Sequence, residues 1–353
     1  MGGCVSTALK VGAETVAEGH IDLISFAINY FKNAVPYIVK YLGRQQRPKE
    51  VDMEATLTEA KESKGFQPWK ISCQPKGAVR GLFIGVNYSN TEAQLSGCCN
   101  DIMMMIGALQ KRNFPLTEVV ILADKEDVPG RTGEPTRANI LRYLAWLAQD
   151  AQPNDVLFFH YSGHGTRANA RDDDCEEYDQ CIVPMDYVEN GCIVDNEIHE
   201  ILVSQLPKGV RLTAVFDCSH SGSMLDLPYA YVCDSSKDGS GSCGMKRVRE
   251  DNDVQADVLM ISACADDEAA LGVDNTQDFY ESGKDSGGAA TFCLTAMMMR
   301  EEPLTFLDLL VHTREMLKSR GFTQVPHLSA SKPINLMQRF SLEGLFPQER
   351  TLL

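Results

Sequence analysis

Short apolar runs alternate with amphipathic stretches over most of this chain, from residue 79 onward. The apolar runs have the length of buried strands and lie at 79–86, 119–122, 156–160, 212–216 and 258–262. The helical patterns lie at 102–110, 136–149, 197–205, 289–301 and 306–319, the second with Thr136 as its cap. This alternation predicts an α/β sandwich, in which helices flank a mostly parallel central sheet.

Other parts of the chain carry weaker patterns. We predict an amino-terminal extension over residues 1–77 and one main domain over 78–353, because the extension pairs an apolar helical stripe with a polar stretch. Residues 231–257 and 276–288 lack periodicity and are predicted to be surface loops. Residues 334–340 are predicted to close the sheet.

Charge and composition exclude several functions. The 353 residues contain 33 Lys plus Arg against 49 Asp plus Glu, a formal net charge of −16. Such a surface argues against nucleic acid as a partner, because phosphates require a basic footprint. The twelve cysteines include no CxxC pair, and several lie inside apolar runs, where a thiol is usually a small buried hydrophobic group. This usage indicates a reducing, cytosolic compartment. The most apolar long segment, 21–42, is interrupted by charges and a proline and is not expected to span a bilayer.

The amino terminus, MGGCVS, matches the acceptor pattern for N-myristoylation at Gly2. One myristoyl chain gives only marginal membrane binding, and Cys4 is the candidate for a second, palmitoyl chain. The two chains would hold the protein on the cytoplasmic face of a membrane. The alternative is an ordinary small-residue start.

Two strand ends carry the candidate chemistry. His164 lies in the stretch FFHYSGHG, just after one apolar run, and Ser219 lies in TAVFDCSHSG, just after another. The carboxyl ends of parallel strands meet at one crevice, so we expect both residues there, in the layout of a hydrolase dyad. The sequence offers no obvious carboxylate to orient His164.

HYSGHGT and DCSHSG, in this order and with the supporting stretches LFIGVNY, LSGCCND and IVDNEIH, resemble the metacaspases of the caspase-like clan. The resemblance covers about residues 79–345 and implies a caspase-like fold. The start and extension resemble acylated kinetoplastid members, which implies the plasma membrane and the flagellar membrane as locations.

In that family the position of Ser219 is a nucleophilic cysteine. Cys218 stands one residue early and is expected to point away from His164. A serine hydroxyl needs a well-oriented base to lose its proton, so we predict a pseudopeptidase that acts by binding and regulation. Two alternatives remain open: a calcium-dependent endopeptidase specific for Arg or Lys that works through Ser219, and an active cysteine enzyme in which serine was introduced by engineering.

By resemblance, Asp101, Ser162 and Asp217 form the specificity pocket for an Arg or Lys side chain, and the Gly165 amide contributes to an oxyanion hole. Carboxylates bind guanidinium and ammonium groups strongly, so the implied partners are basic peptide or protein segments. The alternatives are a strand-end turn residue for Asp217 and a helix cap for Asp101.

By the same resemblance, calcium ligands carry over to Asp179, Asp195, Asn196 and Asp226. Asn196 stands where the family has Asp, which removes one charge and lowers the expected affinity. The alternative is a solvated acidic loop. Other expected partners are active metacaspases, and the protein is expected to be a monomer.

Overall fold

The computed structural model describes residues 69–70, 77–95, 97–111, 114, 116–169, 178–233, 243–250, 253–265, 289–298, 304–319, 324–336 and 339–340. The predicted extension therefore lies almost entirely outside the described residues, as does the predicted loop at 276–288.

Within the described residues, a nine-stranded sheet forms the centre of the fold. Its strands are β1 (Trp69–Lys70), β2 (Val79–Gly85), β3 (Glu118–Ala123), β4 (Val156–Ser162), β8 (Arg211–Asp217), β9 (Tyr229–Cys233), β10 (Cys243–Arg247), β11 (Asp257–Ala265) and β13 (Gln324–Ala330). Their order across the sheet is β1-β3-β2-β4-β8-β11-β13-β9-β10. The five adjacent strands β3, β2, β4, β8 and β11 are parallel, and antiparallel strands extend both ends. The predicted fold class is confirmed.

Two small sheets lie beside the central one. The first contains β5 (Gly165–Asn169), β6 (Tyr178–Ile182) and β7 (Ile193–Val194). The second pairs β12 (Leu304–Thr305) with β14 (Arg339–Phe340). The prediction that 334–340 closes the main sheet is therefore wrong. Only Arg339 and Phe340 form a strand there, and Phe340 packs its ring edge-on against Phe306 instead.

Helices cover both faces of the central sheet. They are α1 (Cys98–Lys111), α2 (Arg137–Ala148), α3 (Tyr187–Asn190), α4 (Asp195–Ile198, continued by a π-helical turn at His199–Val203), α5 (Ala289–Met298) and α6 (Phe306–Ser319). Helix α2 and the π-helical turn belong to one apolar core, whereas α1, α5 and α6 belong to the other. Thr136 caps α2 as predicted, because its side chain accepts the Asn139 N–H.

The stretch 231–257 is not one loop. It contains the end of β9, all of β10 and the start of β11, and residues 234–242 between β9 and β10 are outside the described residues. β10 pairs on one side with β9 along its whole length. A strand at the end of a sheet, with mixed small and basic residues, gives no alternating apolar pattern for the sequence to reveal.

The parallel strands at the centre of the sheet determine where the candidate catalytic residues lie. β4 and β8 are direct neighbours, and Ser162 at the end of one pairs with Asp217 at the end of the other. The chain after β4 carries His164, and the chain after β8 carries Ser219. The prediction that both follow adjacent parallel strands is confirmed.

Candidate active site at the carboxyl ends of β4 and β8

His164 is buried and held by two tyrosines. Its backbone N–H donates to the Tyr88 hydroxyl at 3.0 Å, and its carbonyl accepts the Tyr161 hydroxyl at 2.8 Å. The ring of Tyr88 lies 4.7 Å from the imidazole, measured between centroids. Tyr88 itself has a positive φ of 51°, a backbone conformation that is uncommon for a bulky residue. The histidine is therefore fixed through both its main chain and its ring.

A main-chain carbonyl orients the imidazole. Nε2 of His164 lies 2.9 Å from the carbonyl oxygen of Ala93, which can only accept, so Nε2 carries the proton of the neutral ring. Burial lowers the pKa of His164 to about 4. The sequence shows no obvious carboxylate in this role. The acceptor is a backbone carbonyl, which every residue type carries, so it could not be recognised from the sequence.

The loop with Ser219 packs closely against Gly165, the residue that follows His164. A Cβ atom at Gly165 would lie 1.9 Å from the Ser219 carbonyl oxygen and 3.1 Å from Cys218 Sγ, so no side chain fits there. Cys218 is 1% exposed and belongs to the apolar core, which makes its thiol unreachable for a substrate. Ser219 is half-buried.

The relation between His164 and Ser219 bears on catalysis. Both residues belong to the described part of the chain, and no hydrogen bond joins the Ser219 hydroxyl to the His164 ring there. A serine nucleophile must pass its proton to a well-oriented base as it attacks. As placed, the His164 ring is bonded to the main chain and not to the serine.

Asp101, Ser162 and Asp217 come together as the resemblance implied. The Ser162 hydroxyl donates to Asp101 Oδ2 at 2.6 Å, and all three residues are buried. Burial raises the pKa of Asp101, and the nearby Asp217 carboxylate raises it further, whereas the Ser162 hydroxyl lowers it. Asp101 lies in the first turn of α1 and Asp217 is the last residue of β8, the positions that a helix cap and a strand-end residue would also have.

One residue that contacts this pocket, Thr291, was missed by sequence reasoning. The Thr291 N–H, in the first turn of α5, donates to Asp217 Oδ2 at 2.7 Å. The Thr291 hydroxyl lies 2.8 Å from Nε2 of His160, a fully buried side chain whose Nδ1 has no partner. Burial lowers the pKa of His160 to about 3, so this histidine is neutral. Helix α5 thus fixes one oxygen of the Asp217 carboxylate.

Asp179, Asp195 and Asp226 also lie near one another, on β6, at the start of α4 and on the loop that follows Ser219. The pKa of Asp195 is raised to about 8, first by burial and then by the charges of Asp226 and Asp179. Gln180 connects the three elements, because its N–H donates to Asp195 Oδ2 at 2.8 Å and its side-chain oxygen accepts the Ser223 N–H at 3.0 Å. We call Asp179, Asp195 and Asp226 the acidic cluster.

As placed, the acidic cluster does not have the geometry of a calcium site. Within the described residues, no three His, Cys, Asp or Glu side chains converge on one point that could hold a metal ion. Asn196 uses its N–H to bond to Asp195 Oδ1 at 2.8 Å. Asp226 instead forms an ion pair with Arg249. The donor types suit calcium, but a cation from the chain itself already contacts one of them.

The comparisons with known proteins agree with this site. Residues 79–228 match the family model described as metacaspase, peptidase C14 domain. A protein of Trypanosoma brucei brucei named inactive metacaspase-4 is 99% identical over 353 residues, which is 100% of both chains. Metacaspase-3 of the same organism is 50% identical over 99% of this chain and 98% of its own. The chain belongs to the metacaspase family.

Among solved structures, that of a Geobacter sulfurreducens protein is similar with a TM-score of 0.48 and 18% identity, over 74% of this chain and 97% of its own. No conclusion about the site rests on this likeness.

This metacaspase has histidine at residue 164 and serine at residue 219, and Ser162 bonds to Asp101 beside Asp217. The name of the 99% identical relative states that it is inactive. The prediction of a pseudopeptidase is confirmed by that relative, and it depends on serine standing where the resemblance implies cysteine, since a hydroxyl is a weaker nucleophile than a thiolate. Gly2 and Cys4, the predicted acylation sites, lie outside the described residues. In the described residues, no helix combines the length and apolar character needed to cross a membrane.

Proposed function

We propose that this metacaspase is a membrane-anchored binding protein that holds a basic segment of a partner in the pocket of Asp101, Ser162 and Asp217 without cleaving it. The observation that carries the proposal is the pairing of two buried carboxyl groups at the strand ends. One oxygen of each is taken by a donor of the chain, Ser162 for Asp101 and Thr291 for Asp217. Two carboxyl groups brought together in this way suit a guanidinium or ammonium group of the partner, because hydrogen bonds between such ions are strong and directional.

The regulatory role follows from that pocket. A chain that binds the same basic segments as active metacaspases, and does not cut them, competes with those enzymes for substrates or binds to basic segments of the enzymes themselves. Its net charge of −16 attracts basic partners over longer distances and speeds their association.

The test uses the full-length chain, calcium and a fluorogenic arginyl substrate, beside Ser219→Cys and Ser219→Ala. We expect no turnover by the parent and by Ser219→Ala, and turnover by Ser219→Cys, because a thiolate does not need the bond that Ser219 lacks. A parental rate that disappears in Ser219→Ala would identify a working serine peptidase and contradict the proposal.

Binding is tested separately from chemistry. A fluorescent peptide that ends in arginine should bind the parent in an anisotropy titration, and the matched peptide with glutamine should not. Equal affinity for both peptides, or no binding of either, would leave the pocket without a ligand and favour a structural scaffold.

The anchor at Gly2 and Cys4 is also part of the proposal and is supported by the sequence pattern alone. Gly2→Ala should move the protein from the membrane fraction to the soluble fraction, and Cys4→Ser should weaken membrane retention, since one acyl chain holds only marginally. Plasma membrane and flagellar membrane are distinguished by microscopy of the tagged chain. Unchanged fractionation of Gly2→Ala would contradict the anchor.

Calcium binding at Asp179, Asp195, Asn196 and Asp226 is the last part. Carboxylate and amide oxygens are the ligands that calcium prefers, and Asn196 keeps an oxygen donor while removing a charge. Calorimetry should detect calcium binding by the parent and a loss in Asp195→Asn. The absence of heat at millimolar calcium in the parent would contradict it.

A further inference from the structure

The two carboxyl groups of the pocket lie where α1, β4 and β8 meet. Asp101 is in the first turn of α1, and Asp217 at the end of β8 is the sheet neighbour of Ser162 at the end of β4. Asp101 and Asp217 are 5% and 1% exposed, and their charges act on each other. We call them the carboxyl pair. Two carboxylates that repel each other away from water favour the uptake of one positive charge.

The hydrogen bonds to the carboxyl pair are unequal. Asp217 Oδ2 accepts the backbone N–H of Thr291 at 2.7 Å, and an N–H can only donate, so this bond favours the ionised form of Asp217. Asp101 Oδ2 lies 2.6 Å from the Ser162 hydroxyl, which donates to a carboxylate and can also accept from a carboxylic acid. Asp101 therefore keeps its hydrogen bond when it takes up a proton.

The titratable groups that reach the carboxyl pair from neighbouring described elements are neutral at pH 7. On α1, the charges of the pair act on the Cys98 thiol, whose pKa is raised first by burial and then by Asp101. On β4, His160 contacts Thr291 of α5, and burial lowers its pKa to about 3. Burial likewise lowers the pKa of His164, just beyond β4, to about 4. These groups bring no positive charge to the pair.

The influences on Asp101 itself point the same way. Burial is the largest cause that raises its pKa, the Asp217 charge is the second, and the Ser162 hydroxyl opposes both. The amino-terminal turn of α1 also favours a carboxylate, but a helix terminus is a weaker influence than full burial beside a second carboxyl group. Asp101 therefore keeps its proton at a pH where a solvated carboxyl group has lost it.

We propose that the empty pocket holds one proton on the carboxyl pair, with Asp101 as the carboxylic acid, and that the basic side chain of the partner takes the place of this proton. The inference rests on the binding of basic segments proposed above. As the guanidinium or ammonium group enters, the O–H bond of Asp101 breaks and its proton passes to water, so the net charge of the pocket is the same before and after binding. Binding is thereby linked to proton release, and the affinity for basic segments rises with pH until Asp101 is ionised in the empty pocket.

The first test is calorimetry of the full-length chain with the peptide that ends in arginine, at about pH 5.5 in acetate and in MES buffer. The two buffers take up protons with different enthalpies, so the difference between the binding heats counts the protons released. We expect the parent to release about one proton per peptide, and its affinity to fall roughly tenfold for each unit by which the pH is lowered in this range.

Two variants assign the proton. Asp101→Asn carries an amide that does not titrate, so its peptide binding should release no proton and should not change with pH. Asp257→Asn is the matched control, because the change in charge is the same and its carboxylate is partly exposed beside Lys332. This control should release as many protons as the parent. Equal proton release by Asp101→Asn and the parent would overturn the assignment to Asp101.

A second measurement needs no peptide. Because the pKa of Asp101 is higher in the folded chain than in the unfolded chain, stability from this group is complete at acidic pH and is lost as the pH rises through the folded-state pKa. The urea midpoint of the parent should therefore fall relative to that of Asp101→Asn as the pH is raised from about 5 to about 8. The midpoint of Asp257→Asn should follow that of the parent.

The two measurements separate this inference from the proposed function. A parent chain that binds the arginyl peptide and releases no proton would overturn the inference and leave the proposed function in place. If no basic peptide binds, the proposed function fails, and the replacement of the proton fails with it. The urea midpoints then decide whether the pair holds a proton: midpoints that diverge with pH support it, and midpoints that stay parallel overturn it.

Discussion

The pocket and the acidic cluster are two groups of buried carboxylates that differ in the charge of the groups that contact them. In the pocket, Asp101 and Asp217 receive hydrogen bonds from Ser162 and Thr291, and these neutral donors do not cancel the charge. In the acidic cluster, Asp226 is paired with Arg249. The proposed role of the first group is to receive a cation from outside, whereas the second already contacts one from its own chain. Carboxylate content alone therefore does not tell which group binds a ligand.

The largest expected effect is on the pocket. Asp217→Asn should weaken binding of the arginyl peptide roughly 100-fold, because one half of the charge that holds the guanidinium is lost. Anisotropy titrations with the arginyl peptide measure it, with Arg249→Gln as the control that should leave this affinity unchanged. Full peptide affinity in a folded Asp217→Asn chain would remove the distinction between the two groups.

The second effect is a pH dependence that comes from His164. Its pKa is about 4 in the folded chain and about 6.5 when unfolded, so the unfolded state takes up the proton first. Stability from this group is complete above pH 6.5 and is lost as the pH falls towards 4. At pH 5 the loss is about 2 kcal/mol relative to pH 7. Urea denaturation of the parent and His164→Gln at both pH values measures it, and parallel curves would contradict it.

A smaller effect is expected at the base of the pocket. Thr291→Val removes the hydroxyl beside buried His160 and keeps the backbone N–H that bonds Asp217, which should cost about 1–2 kcal/mol of stability. Peptide affinity should fall severalfold as α5 shifts, and Thr291→Ser should restore both. Loss of stability with unchanged peptide affinity would make Thr291 a structural residue only.

The smallest effect concerns the acidic cluster. Asn196→Asp adds a carboxylate where the resemblance to the family implies one and should raise calcium affinity severalfold, because calcium affinity rises with ligand charge. A calcium affinity that Asn196→Asp leaves unchanged would place residue 196 outside the coordination sphere.

The parallel strands could be predicted because strands buried on both faces are continuous apolar runs, as in β4, where all seven residues are buried. The adjacency of His164 and Ser219 followed from their positions after two such strands. β10 and β13 lie beyond the parallel centre, and their mixed residues give no comparable run. The pairing of Arg249 with Asp226 joins the end of a terminal strand to a distant loop, and no local pattern encodes that meeting.

The acceptor that aims His164 is the carbonyl of Ala93, and a carbonyl is present whatever side chain residue 93 carries. A substitution at residue 93 therefore leaves this acceptor in place, whereas a single substitution can remove a side-chain acceptor. The orientation of His164 therefore does not depend on which side chain stands at position 93. A single Ser219→Cys change would meet a histidine that is already oriented by the main chain.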